Sequence, residues 1–165
     1  MNRVRPSCFV ELIGRVFSEM PLGISRLLNG TDFAIGLSPS WINLHHSKSS
    51  EDGRSYASTS HAVWPMHQKH LPMAQRNATV VLNDGDEFDR LLILHELGHI
   101  LDERLDFGSP KPIAISDYAK TSDVEAFATS FQAFLTPLGE GKFNYPTYGD
   151  LWESDSRMLN FFRSL

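Results

Sequence analysis

The sequence predicts an α+β domain, and three observations carry that prediction. Short runs rich in β-branched and aromatic residues, "DFAIGL", "SWINL" and "NATVVLND", all lie in the first half of the chain. Longer runs with apolar residues three and four apart dominate the second half. Two leading helical runs, then the strands grouped together, then the longer helices, instead of strict alternation, is the pattern of helices segregated against a sheet.

Residues 8–20 place Phe9, Val10, Leu12, Ile13, Val16, Phe17 and Met20 at helical spacing, and Pro21 ends the run. "ISRLLN" predicts a short second helix closed by Gly30. "DFAIGL" and "SWINL" read as strands separated by Ser38 and Pro39. Residues 47–60 lack apolar content and read as an exposed loop or a substrate-facing flap. "NATVVLND", residues 77–84, is the clearest strand, bounded by Asn83, Asp84 and Gly85. A major helix follows over 87–105, with Asp84 or Asp86 as cap and Gly108 and Pro110 beyond its end. "FGSPKPIAISD" is then a loop with two prolines. A helix over 122–136 stops before Pro137, and a final one over 150–163 carries Leu151, Trp152, Met158, Leu159, Phe161 and Phe162. With no internal repeat, residues 1–165 are read as one domain.

At 165 residues such a domain buries roughly 70% of its unfolded surface without covalent staples. An apolar share of 41% is that of a folded chain and argues against disorder. A net charge of -5 and the lack of a basic stripe argue against nucleic acid as a partner. Cys8 is the only cysteine, which excludes an internal disulfide and a multi-cysteine zinc site. Glu11, Arg15 and Glu19 interrupt the amino-terminal apolar stretch, so no classical signal peptide is expected; the protein is then intracellular or secreted by a non-classical route. The longest apolar run, "LLILHELGHIL", is too short and too polar for an integral membrane segment.

That run contains the chemistry. On a helix turning about 100° per residue, His95 and His99 stand about 40° apart, so both imidazoles can reach one ion. Glu96 points about 100° round, where it reaches a water on that ion as a base and does not bind the metal. Leu94, Leu97, Leu101 and Leu105 share the opposite, core-facing side. The competing reading is a chance match on a buried helix, but two histidines and a glutamate buried without a metal are expensive to desolvate. Gly98 fits a helix against which something packs closely.

Two histidines do not complete a site. Position 105 is leucine, where the metzincin pattern needs a third histidine. His45, His46, His61, His67 and His70 lie in loop-like sequence, and Pro65 and Pro72 argue against a helix presenting the His67, His70 pair. Asp102, one turn beyond His99, is placed to support a ligand from behind, because neighbouring side chains of one helix cannot all converge on one ion. Glu125 borders the apolar side of the next helix, formed by Val124, Phe127, Ala128, Phe131 and Leu135, and is able to point inward as a ligand. "SDVE" equally fits a capping box, with Glu125 bonded to the Ser122 amide and facing water.

"HELGHILD" followed by "SDYAKTSDVEAFATSFQAFL" resembles the catalytic domain of anthrax lethal factor and the related Pro-Pro endopeptidases, zinc metalloproteases of the gluzincin kind. That family joins an H-E-x-x-H helix to a Tyr seven residues before a Glu that opens an E-x-F-A-x-x-F helix. Tyr118 is seven before Glu125, and Phe127, Ala128 and Phe131 match. The resemblance implies a zincin-like fold: a small twisted sheet, the H-E-x-x-H helix and a C-terminal helical part. It implies one zinc ion held by His95, His99 and Glu125, with Glu96 as general base and Tyr118 as the phenol that stabilises the oxyanion. It further implies a protein or peptide substrate, a monomer and a toxin-like protease. Residues 77–135 carry the resemblance, "YPTYGDLWE" echoes it weakly, and residues 1–76 show no specific match. The short, proline-containing segment 107–117 lies where the cleft wall belongs, so the proline specificity of some relatives is not carried over.

"EAFATSFQAFLTP" also resembles, in part, the intracellular metallopeptidases of the repressor-cleaving phage-regulatory type, although the spacing differs and Tyr118 has no counterpart. A third reading is a binding module that keeps the zinc with little turnover. For the peptidase, an extended peptide is expected along an edge strand, with "NATVVLND" as the candidate.

Overall fold

Helix packing on a small mixed sheet organises the computed structural model, which describes residues 6–35, 46–48, 61–65, 70–71, 77–82, 90–142 and 145–165. Helices α1 (Pro6–Ser18) and α2 (Leu22–Leu27) come first. Strands β1 (Asp32–Ile35), β2 (His46–Lys48), β3 (His61–Pro65) and β4 (Thr79–Leu82) follow. Helix α3 (Arg90–Arg104) leads through a 3-10 turn (Ala119–Thr121) to α4 (Asp123–Phe134), α5 (Tyr148–Ser154) and α6 (Ser156–Ser164). The α+β prediction holds: strands precede the main helices, and the C-terminal part is helical.

The sheet order is β1-β4-β3-β2, with β1 parallel to β4 and the other two pairs antiparallel. This corrects the expected edge strand. Both sides of β4 are occupied, Val80 pairing with Phe33 on one side and Ala62 on the other. Its backbone groups therefore serve the sheet and are not open to a peptide. Among the described residues the edges are β1 and β2. His46 and His61, expected in loops, instead open β2 and β3, and Ser47 and Lys48 of the expected exposed loop belong to β2. Pro65 is tolerated at the end of β3 because pairing with β4 has already stopped at Val63. "SWINL", the helix start near Glu87 and the Asp84 or Asp86 cap lie outside the described residues.

Helix α1 packs on the sheet through Phe9 and Phe17, whose rings meet Phe33 edge-on at 6.3 Å each. Beneath the sheet runs α3, in contact with β3 and β4. From Ile93 to Glu103 every residue of α3 is buried, as befits a helix surrounded on all sides. It is held at both ends by arginines. Arg90 bonds Glu19 and the Leu135 carbonyl, and Arg104 reaches the carbonyls of Leu27 and Asn29 where α2 ends.

Helix α3 stops at Arg104, beside the end expected at Leu105 and ahead of Gly108 and Pro110. Asp106 and Phe107 both adopt φ 53, and the Phe107 amide bonds back to the Asp102 carbonyl at 3.0 Å. This left-handed closure satisfies a terminal carbonyl of the kind glycine usually serves. Past it, 107–117 has neither helix nor strand, as expected. The single C-terminal helix expected over 150–163 is in fact two. Asp155 breaks it at φ -145 and ψ 70 because its carboxylate accepts from the Met158 amide and starts a new helix there. Phe162 of α6 completes the core under α4, meeting Phe127 and Phe131 edge-on at ring distances of 5.4 and 5.6 Å and stacking with Phe134 at 5.4 Å.

Candidate metal centre

His95 and His99 project from the middle of α3 toward α4, their rings 4.9 Å apart and nearly perpendicular. Close approach of the two helices makes this possible. A Cβ on Gly98 would stand 2.7 Å from the Ala128 Cα and 3.0 Å from its carbonyl oxygen, so only glycine fits at the crossing. The crossing lies one helical turn from Glu125 on α4 and between the two histidines on α3, and it brings all three together.

Glu125 resolves both of its sequence readings. Its amide donates to the Ser122 hydroxyl at 3.2 Å, so Ser122 does cap α4. Its carboxylate, however, turns inward and does not take the reciprocal capping bond. One oxygen lies 3.0 Å from His95 Nε2 and 3.5 Å from His99 Nε2. His95, Glu96, His99 and Glu125 are all buried, each between 5% and 7% exposed, so the charges interact without a water shell.

The electrostatics follow from that burial. For Glu125, burial pushes the pKa up, but the hydrogen bonds and charges of His95 and His99 outweigh it and hold the carboxyl well below the usual range. For His99, burial favours the neutral ring, yet the Glu125 hydrogen bond and the charges of Glu96, Glu125 and Asp102 raise its pKa. The two groups thus favour one another's charged forms, against a burial that opposes both. Glu96 does not join that pair and acts on His99 through its charge.

Asp102 is buried one turn beyond His99, and desolvation pushes its carboxyl up to about 6 against the Ser109 hydrogen bond and the His99 charge. It accepts from Ser109 Oγ at 3.4 Å. The expected support of His99 is not made by a hydrogen bond: His99 Nδ1 is buried without a partner among the described residues. Tyr118 leads into the 3-10 turn that joins the 107–117 segment to α4. Its ring lies 5.6 Å from that of His95, tilted by 56°.

His95, His99 and Glu125 each offer one ligand atom, and these atoms lie within 4.8 Å of one another. Two imidazole nitrogens and a carboxylate oxygen converging in a buried site fit a metal ion, and this is the only such group among the described residues. Of the residues singled out in the sequence, the structure therefore assembles His95, Glu96, His99, Glu125 and Tyr118, with Asp102 one turn away. Asp155, which anchors the segment before Tyr118, carries no signal in the helical pattern. Among the described residues no helix is long and apolar enough to cross a membrane. Comparison of the chain with protein-family models, curated proteins and solved structures found no match.

Proposed function

We propose that the chain is a zinc-dependent endopeptidase of the glutamate-liganded, zincin-like kind. The observation that carries this reading is the convergence of His95, His99 and Glu125 on one buried point, with Glu96 beside it on the same helix. Two histidines and a carboxylate are a catalytic zinc set, since three protein ligands leave a position for water. When bound, the ion supplies Lewis acidity, acidifying a water and polarising a peptide carbonyl.

The remaining work falls to the protein. Glu96, kept off the ligand set by its angle on α3, takes the proton of the attacking water and passes it to the leaving amine. Tyr118 donates a hydrogen bond to the oxygen on which negative charge develops. Burial of Glu96 strengthens its electrostatic influence on the reacting atoms. With β4 enclosed, the edge strand for an extended substrate is sought at β2, which among the described residues is the edge beside β3, the strand that packs on α3.

The test is cleavage of a diverse peptide library by the full chain, with and without chelator, alongside metal analysis of Glu96→Ala. Cleavage abolished by both chelator and Glu96→Ala, with zinc still bound by the variant, is the expected result. Zinc binding without cleavage by the parent would instead identify a binding module, and cleavage by Glu96→Ala would remove Glu96 as the base.

A further inference from the structure

Asp155 is 2% exposed and stands between α5 and α6. Its Oδ1 accepts from the Met158 amide at 3.2 Å and faces Arg157 Nε at 3.6 Å. Its Oδ2 accepts from the amide of Ile113 at 2.8 Å, 42 residues earlier in the chain. A helix cap needs only one side-chain oxygen, so the cap does not account for a buried carboxylate whose second oxygen is committed to a distant loop. Arg157 strengthens the same attachment by donating to the Lys111 carbonyl at 2.8 Å.

The loop so held runs directly into Tyr118. After that residue the chain is already fixed: the Ala119 amide donates to Ser116 Oγ, Thr121 Oγ1 donates to the Tyr118 carbonyl, and Ser122 caps α4. Before it, 107–117 has no helix or strand of its own to hold it. Its attachment to the C-terminal helices takes their place.

The geometry points to Asp155 as a positioning residue: by holding the Ile113 amide it fixes the segment that sets the Tyr118 ring beside His95. This rests on the endopeptidase reading, in which Tyr118 contacts the developing oxyanion. Asp155 touches no reacting atom; it acts through the loop.

Asp155→Ser separates the two jobs, since a serine caps a helix but is too short to reach Ile113. In the zinc-loaded full chain we expect about one zinc retained per molecule. The Ile113 amide should lose its protection from hydrogen exchange. kcat should fall about 10-fold while KM stays within about twofold, the signature of a misplaced group that acts in the transition state. In a Tyr118→Phe background the same substitution should slow turnover no further, because the two residues act as a unit. Arg157→Ala, at an exposed side chain, should act in the same direction more weakly and be equally silent in Tyr118→Phe; it decides the matter if Asp155→Ser does not fold. An equal fall in both backgrounds, or lost Ile113 protection at unchanged kcat, overturns the proposal alone. A parent that cleaves nothing, or a Tyr118→Phe variant at full rate, overturns the endopeptidase reading and the proposal with it.

Discussion

Gly98 and Ala128 mark the point where α3 and α4 touch backbone to backbone: a Cβ on Gly98 would lie 2.7 Å from the Ala128 Cα. The contact explains why a residue unfavourable in helices stands between two histidines. It sets the depth at which the carboxylate of Glu125 meets both imidazoles, and so couples packing of the core to assembly of the site.

Gly98→Ala is therefore expected to destabilise the protein even though alanine is favoured over glycine in a helix by about 1 kcal/mol. The clash is with backbone, which cannot rotate away, and overpacking of this kind costs about 1–3 kcal/mol. Urea denaturation should show a net loss, and competition with a chelator should show weaker zinc binding as α3 and α4 move apart. A variant more stable than the parent with unchanged zinc affinity would mean that the crossing is not the constraint.

Ser122 and Glu125 divide what a capping box would combine, and two substitutions separate their roles. Ser122→Ala removes the cap on the Glu125 amide and should cost about 1 kcal/mol in denaturant while zinc content stays at the parent level. Glu125→Gln leaves the Ser122 cap in place but removes the anionic oxygen, and should lose zinc during dialysis. Parent-level zinc retention in Glu125→Gln would take that residue out of the ligand set.

The contrast between these residues shows what the sequence makes legible. His95, Glu96 and His99 are neighbours on one helix, so spacing alone placed them on adjoining faces. Glu125 depends on a second helix; its position in sequence allowed an inward ligand or an outward cap, and only the Gly98–Ala128 contact brings it to the histidines. Strand order was not legible, because β4 is enclosed by β1 and by β3, and β2 and β3 include His46, Lys48, His61 and Pro65, which do not advertise strands. The break at Asp155 was hidden for the opposite reason: Leu151, Met158, Leu159 and Phe162 keep an apolar helical pattern straight across it. The left-handed closure of α3 was not legible either, because Asp106 and Phe107 make it, both residue types that carry a Cβ.

Asp102 makes the metal-free protein sensitive to pH. Its folded pKa is raised from 3.8 to about 6, so its favourable contribution is complete below 3.8 and is lost as pH rises through about 6. Asp102→Asn, which cannot ionise, should flatten the fall in Tm between pH 4 and pH 7 in the presence of chelator and raise Tm at pH 7 relative to the parent. Parallel Tm profiles for parent and variant would place the ionised carboxylate in a better solvated setting than its burial indicates.

Zinc and protons should compete at His99. In the metal-free chain its raised pKa stabilises the fold fully below the ordinary value of 6.5, and that contribution disappears as pH rises through the folded value. Glu125 behaves oppositely, contributing above 4.5 and losing its effect on acidification. A metal needs the imidazole neutral, so loading must work against the Glu125 contact that favours the protonated ring. Calorimetric titration of zinc near pH 6.5, in buffers of different ionisation enthalpy, should reveal release of protons, and the release should shrink as pH rises. Zinc affinity should rise with pH, and the rise should level off once His99 is neutral. Binding with no proton release at that pH would show that His99 is already neutral before the ion arrives, so that burial outweighs the neighbouring carboxylates.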